Sequence, residues 1–157
     1  MAGGTEPSPT PETEEFWAGT RQGELRIQHC NNCGKNYFYP RPFCRYCQSR
    51  NVEWRVVSGL GTLVSYVINY RPVPPAAPDE PLVIALVELD EGPRMLTNIV
   101  GVAPEPENLP LDARVRVDFE PRGEQALPVF RLTGPASPAA LRLPRDDGPA
   151  AGDGLAL

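Results

Sequence analysis

The sequence is short of histidine and lysine: His29 and Lys35 are the only ones among 157 residues. A lone imidazole gives a Ser/His/Asp or Cys/His catalytic set one histidine to build on, and nothing else in the chain points to a nucleophile. There is no run of about 18 apolar residues, so no membrane-spanning helix is expected. The opening stretch MAGGTEPSPTPETEE lacks a basic start followed by an apolar segment, which is the pattern of a secretory signal. A soluble, cytoplasmic protein is the expectation. No Gly-rich phosphate loop is present either. Gly59-Leu60-Gly61 lacks the following glycine and helix, and reads as the entry to a curved strand.

Proline and glycine, by contrast, are abundant, at 20 and 14 residues. Prolines spread between short apolar runs exclude a helical bundle and suit an all-β domain with many turns. Hydrophobic residues make up 41%, and the two Trp, five Tyr and five Phe argue against a wholly disordered chain. The length fits one domain, or a small module joined to one. The net charge of −5 is unevenly spread. Residues 1–15 carry four glutamates and no basic residue, residues 16–55 carry seven basic and two acidic side chains, and acids outnumber bases over residues 56–141. Such asymmetry points to two modules with different partners.

The organisation follows from local patterns. Residues 1–10 form a polar lead-in, expected to be disordered. Thr10 as N-cap, Pro11 at the first helical position, early acids and Gly23 as a stop predict a helix from about Pro11 to Gln22 within a docking segment, residues 11–24. A helix this short must dock on something, and Phe16 and Trp17 are the candidate contacts, with the rest of the chain or with a partner. Residues 25–55 hold two short strand patterns, at Leu25–His29 and Tyr37–Tyr39, interleaved with the cysteines. Residues 56–133 read as five strands: Gly61–Val73, two from a hairpin over Leu82–Val102, Ala113–Pro121 and Leu127–Leu132. A Pro/Ala loop from Pro74 to Pro81 follows the first of them, and the spacing is that of a small closed barrel. Residues 134–157 return to Pro, Ala, Gly and Asp, a flexible tail. Glu88, Asp90 and Glu91 resemble a carboxylate cluster, but a solvated hairpin turn explains them better.

All four cysteines lie in two C-x-x-C knuckles, Cys30/Cys33 and Cys44/Cys47. Each knuckle offers two thiolates from one tight turn, and two such turns facing each other make a tetrahedral metal shell. Gly34 eases the first turn. Zinc is the expected ion and iron, in a rubredoxin-like site, the alternative. Four thiolates leave no open coordination position, so the metal is expected to be structural. His29 is read as a bystander on the ribbon strand.

The order of the segments FWAGTRQGELRIQHCNNCGKNYFYPRPFCRYC, SGLGTLVSYVINYRP, PLVIALVELDEGPRMLTNIVG and LPVFRL resembles the acyl-CoA-associated family of zinc-ribbon OB-fold proteins. The resemblance covers about residues 12 to 133. It implies a mainly β chain: an N-terminal short helix, a rubredoxin-like zinc ribbon and a five-stranded OB-fold barrel. It also implies a small non-catalytic accessory subunit of a thiolase-superfamily enzyme, such as a thiolase, an acyltransferase or a steroid side-chain aldolase, or of an enoyl-CoA hydratase. The partner would carry the catalytic residues, and the small subunit would help hold the acyl-CoA. By position, Cys30, Cys33, Cys44 and Cys47 match the family's metal ligands, and no catalytic residue transfers. Among the basic residues of the first module, Lys35, Arg41 and Arg45, with Arg21, Arg26 and Arg50, could meet CoA phosphates or an acidic partner surface. The competing reading is a nucleic-acid binder, since Tyr37, Phe38 and Tyr39 lie among basic residues. The acidic barrel half and a sequence pI near 4.9 argue against it.

Overall fold

The computed structural model describes residues 5–72 and 80–136. The one α-helix among the described residues, α1, spans Glu14–Arg21, three residues later than Thr10 and Pro11 suggest. The Thr10 carbonyl accepts the Thr13 N–H at 2.9 Å and closes a separate turn, so the first helical bond is Trp17 N–H to the Thr13 carbonyl, 3.1 Å. The helix ends as expected at Gly23. With φ at +74°, it lets the Glu24 N–H return to the Gly19 carbonyl at 2.9 Å and the Gly23 N–H to Thr20 at 3.1 Å.

Three strands form the ribbon sheet: β1 (Leu25–Cys30), β2 (Asn36–Tyr37) and β3 (Val52–Val57), in the order β2-β1-β3. The expected strand at Tyr37–Tyr39 shrinks to two residues because Phe38 turns into the core while Tyr39 faces solvent. β3 had no counterpart in the sequence reading. It carries the ribbon through the expected boundary at residue 55 to Val57.

The barrel is built from β4 (Leu60–Asn69), β5 (Leu82–Leu89), β6 (Arg94–Ile99), β7 (Ala113–Arg122) and β8 (Gln125–Ala136), closed in the order β4-β5-β6-β8-β7. Every pairing is antiparallel except β6 with β8. One closed five-stranded barrel of this order is the OB fold. β8 runs on to Ala136, past the expected end at Leu132 and across the expected start of the tail at residue 134, because β7 continues opposite it down to Ala113. Much of the predicted Pro/Ala loop, the first four residues, and residues 137–157 of the predicted tail lie outside the described residues. Gly61 is required where β4 and β5 cross: a Cβ there would stand 2.6 Å from the Glu88 carbonyl.

One hydrophobic core runs through helix, ribbon and barrel. Phe16 of α1, Leu25 and Ile27 of β1, and Phe38 join Leu63, Val87, Met95, Val115 and Phe130 of the barrel. A second, smaller cluster of Cys30, Tyr37 and Cys44 lies at the far end of the ribbon, with Cys33 and Val52 against it.

Candidate metal centre and apolar groove

The two knuckles are built alike. In the first, the Gly34 N–H bonds the Cys30 carbonyl at 2.8 Å and the Cys30 N–H bonds Lys35 at 3.0 Å. In the second, the Gln48 N–H bonds the Cys44 carbonyl at 2.9 Å and the Cys44 N–H bonds Ser49 at 2.8 Å. Each turn closes on a left-handed residue, Gly34 at φ +70° and Gln48 at φ +60°. Only the first is a glycine, so only that knuckle shows its turn residue in the sequence.

The four sulfurs lie within 4.8 Å of one another. The Cys30 and Cys47 sulfurs are 3.6 Å apart and those of Cys33 and Cys44 3.7 Å. A tetrahedral ion about 2.3 Å from each sulfur would space them about 3.8 Å apart, so the donor set fits a metal of zinc's size. N–H groups also face the sulfurs: Tyr46 N–H lies 3.4 Å from Cys44 Sγ, and the Asn32 side-chain amide 3.6 Å from Cys47 Sγ. The Ser49 N–H and the Asn32 amide pull Cys47 down to about 6. At Cys33 the Lys35 N–H acts in the same sense, but burial and the three neighbouring thiols push it up to about 11. Four thiolates this close cannot all form without a positive ion among them. The Tyr37 hydroxyl is buried against this cluster with no hydrogen-bond partner among the described residues, and burial pushes it up to about 12. His29 is turned away from ligation, with Nδ1 2.7 Å from Asn36 Oδ1.

The predicted cationic residues are not all gathered in one place. Lys35 and Arg45, from the two knuckles, both stand over the exposed Tyr46 ring, at 4.6 and 5.3 Å. Arg41 lies on the intervening loop, its backbone N–H held by Gln28 Oε1 at 2.7 Å. Arg26 is taken up within the module, bonding Glu15, Glu24 and Gln22. Arg21 reaches the barrel, 2.6 Å from Gln125 Oε1. The carboxylates near the hairpin are structural. Asp90 makes a two-pronged pair with Arg114 at 2.8 and 2.6 Å, and Glu91 Oε1 accepts the Ser58 N–H at 2.8 Å, pinning the ribbon–barrel junction. They are therefore not simply the solvated turn residues the sequence suggested.

Phe16 and Trp17 part company. Phe16 is 5% exposed and belongs to the core, its ring 5.0 Å from Trp17 and 5.3 Å from Phe38. Its predicted role in partner contact meets a plain obstacle, because the ring is already enclosed. Trp17 is only partly buried, and with Phe16 it lines an apolar groove of about 250 Å³, together with Phe38 and Tyr39 of the ribbon and Leu96, Leu127 and Pro128 of the barrel. Leu96 and Tyr39 are both more than half exposed on its rim. This groove was not visible in the sequence, since it joins four stretches of chain that only the fold brings together.

Comparison with known proteins fits this architecture. Residues 17–53 match the family description "ChsH2, rubredoxin-like zinc ribbon domain", and residues 54–120 match "ChsH2, C-terminal OB-fold domain". A probable enoyl-CoA hydratase alpha subunit of Thermomonospora curvata is 38% identical over 122 residues, which are 76% of this chain and 37% of that protein. The chain thus spans little more than a third of that hydratase relative. A DUF35 domain-containing scaffold protein of Pyrococcus furiosus is 38% identical over 60% of this chain and 69% of its own length. Among solved structures, the Ltp2-ChsH2(DUF35) aldolase contains a chain with a TM-score of 0.71 and 35% identity, covering 80% of this chain and 98% of that one. With helix, four-cysteine ribbon and closed barrel in the same order along the chain, this protein belongs to the DUF35 family.

Proposed function

We propose that the protein is a non-catalytic accessory subunit that binds a thiolase-superfamily enzyme acting on acyl-CoA. The acyl groups we assign to that enzyme are lipid or steroid side chains, and the small subunit helps hold the acyl-CoA. The observation that carries this reading is the match across 98% of the ChsH2-type chain of an aldolase. The residues agree with it. The only histidine is held by Asn36, and all four cysteines stand around one metal position. That leaves neither group to serve as a nucleophile or base.

The metal we assign is zinc, held by Cys30, Cys33, Cys44 and Cys47. When bound, it supplies the charge that lets four thiolates coexist and so fixes the two knuckles. The chain's own residues do the rest: Gly34 and Gln48 close the turns, and the N–H groups of Tyr46 and Asn32 face the sulfurs. The groove beside Trp17 is the surface we assign to the partner, because its apolar lining and its exposed Leu96 and Tyr39 suit a protein contact. Lys35, Arg41 and Arg45 are assigned to CoA phosphate or to acidic groups of the partner. All three are exposed, and none takes part in an ion pair within 4 Å among the described residues.

Affinity purification of the tagged protein from its own host, with mass spectrometry of what accompanies it, tests this reading. A thiolase-like enzyme in near-equal amount is expected. Recovery of nucleic acid, or of the protein alone, would overturn it. With the partner in hand, Trp17→Ala is expected to weaken binding more than tenfold while the variant's thermal midpoint drops only modestly. Unchanged binding by a folded variant would remove the groove from the interface.

A further inference from the structure

β3 is an open edge of the ribbon sheet, paired on one side with β1 and on the other with none of the described strands. The pattern of its backbone groups can be worked out. The Asn31 N–H bonds the Asn51 carbonyl at 3.0 Å, and bonding residues alternate along an antiparallel ladder. Glu53, Arg55 and Val57 therefore direct their N–H and C=O groups to β1. Trp54 and Val56 direct theirs outward, as does the carbonyl of Val52, whose own N–H bonds Arg50 at 2.9 Å. On the other side of β1, the Cys30 N–H bonds Lys35, which confirms that β1 uses its even-numbered residues for β2 and its odd-numbered ones for β3.

The side chains on this edge are arranged antisymmetrically. Val52-Glu53-Trp54-Arg55-Val56 has a valine at each end, opposite charges next, and Trp54 in the centre. We infer that β3 pairs antiparallel with β3 of a second copy of this chain, across a two-fold axis at Trp54, making one six-stranded sheet from two ribbons. In that register the outward backbone groups of Trp54, whose side chain packs partly against the core, meet those of Trp54 of the second copy, and Val56 meets Val52. Glu53 of each copy then faces Arg55 of the other, at positions whose backbone groups are already engaged with β1. Slipping by two residues one way sets Arg55 against Arg55, and the other way sets Glu53 against Glu53. Hydrogen-bond parity and charge thus select the same single register. Within one copy Glu53 and Arg55 form an ion pair at 2.6 Å, but both side chains are more than two-fifths exposed, so that pair is weak and readily shared. Val56, 59% exposed, becomes covered. An isologous contact of this kind closes at two copies.

The test uses the full-length, metal-loaded protein in sedimentation velocity from low micromolar to sub-millimolar concentration. A reversible monomer–dimer equilibrium is expected. Glu53→Arg and Arg55→Glu each place like charges opposite one another and should weaken the dimer by about tenfold or more. An equimolar mixture of those two variants should form a mixed dimer, and the swap E53R/R55E should recover the wild-type constant within a few-fold. Both positions are exposed, and circular dichroism of each variant checks that the fold is kept. A wild-type protein that stays monomeric throughout overturns the inference. So does a dimer that the single variants leave unchanged, or one that the swap fails to restore.

Discussion

At the scale of single residues, the metal ligands carry the sharpest expectations. Cys44 is fully buried, and its replacement by Ser removes one of four thiolates while leaving the other three crowded. Cys44→Ser should lose bound metal and unfold or precipitate, because metal binding is part of the folding free energy of such ribbons. Metal content and a thermal melt measured on the same sample check this, and a folded variant with full metal content would refute it. Gln48 offers the opposite kind of change. Its left-handed backbone burdens a residue with a Cβ, so Gln48→Gly should stabilise the protein by about 0.5–1 kcal/mol in urea unfolding. At the hairpin, hydrogen bonds and charge from Arg114 hold Asp90 below its ordinary value. A carboxylate depressed in the folded state contributes stability above its unfolded value of about 4, and that contribution disappears as pH falls through the lower folded value. Asp90→Asn should therefore be less stable than wild type at neutral pH, by less than about 1 kcal/mol because the pair is partly solvated. The gap should close as pH falls below about 4, as chemical denaturation of both proteins over that range would reveal.

At the scale of elements, the cysteine spacing and the alternation of the barrel strands were legible because each is a local pattern. The start of α1 was misread because two threonines three residues apart both offer a cap, and only the turn closed between them assigns Thr13. β3 was missed although Val52-Glu53-Trp54-Arg55-Val56 alternates apolar and charged residues, because the alternation lasts only five residues and follows closely on the second knuckle. The roles of Phe16 and Trp17 were joined in the sequence and separated by the fold. Adjacent residues on a helix point about 100° apart, so Phe16 is enclosed in the core while Trp17 stays partly exposed, although both border the groove. Phe16→Ala should accordingly cost about 3–5 kcal/mol of stability, far more than Trp17→Ala, in parallel denaturation experiments.

At the scale of the whole molecule, the expectation of two separate modules meets a single core. Leu25, Ile27 and Phe38 belong to the ribbon by sequence, yet they pack among barrel side chains. Charge divides the chain where burial does not, and composition reports only charge. A consequence is that the metal-loaded protein should unfold in one calorimetric transition. Stripping the metal with a chelator should lower the midpoint of that whole transition; a separate barrel transition at the original temperature would contradict the shared core.

Barrel closure has an outcome for synthesis. β4 to β6 can associate as soon as they emerge from the ribosome, since each pairs with its neighbour in sequence. β6 and β7, however, are joined only through β8, the last of the described strands to be made. Until Gln125–Ala136 has left the exit tunnel, the nascent chain holds two unpaired strand margins and an uncovered Met95 and Ile99. That interval is when a chaperone, or the early arrival of an assembly partner, would matter most to the yield of folded protein.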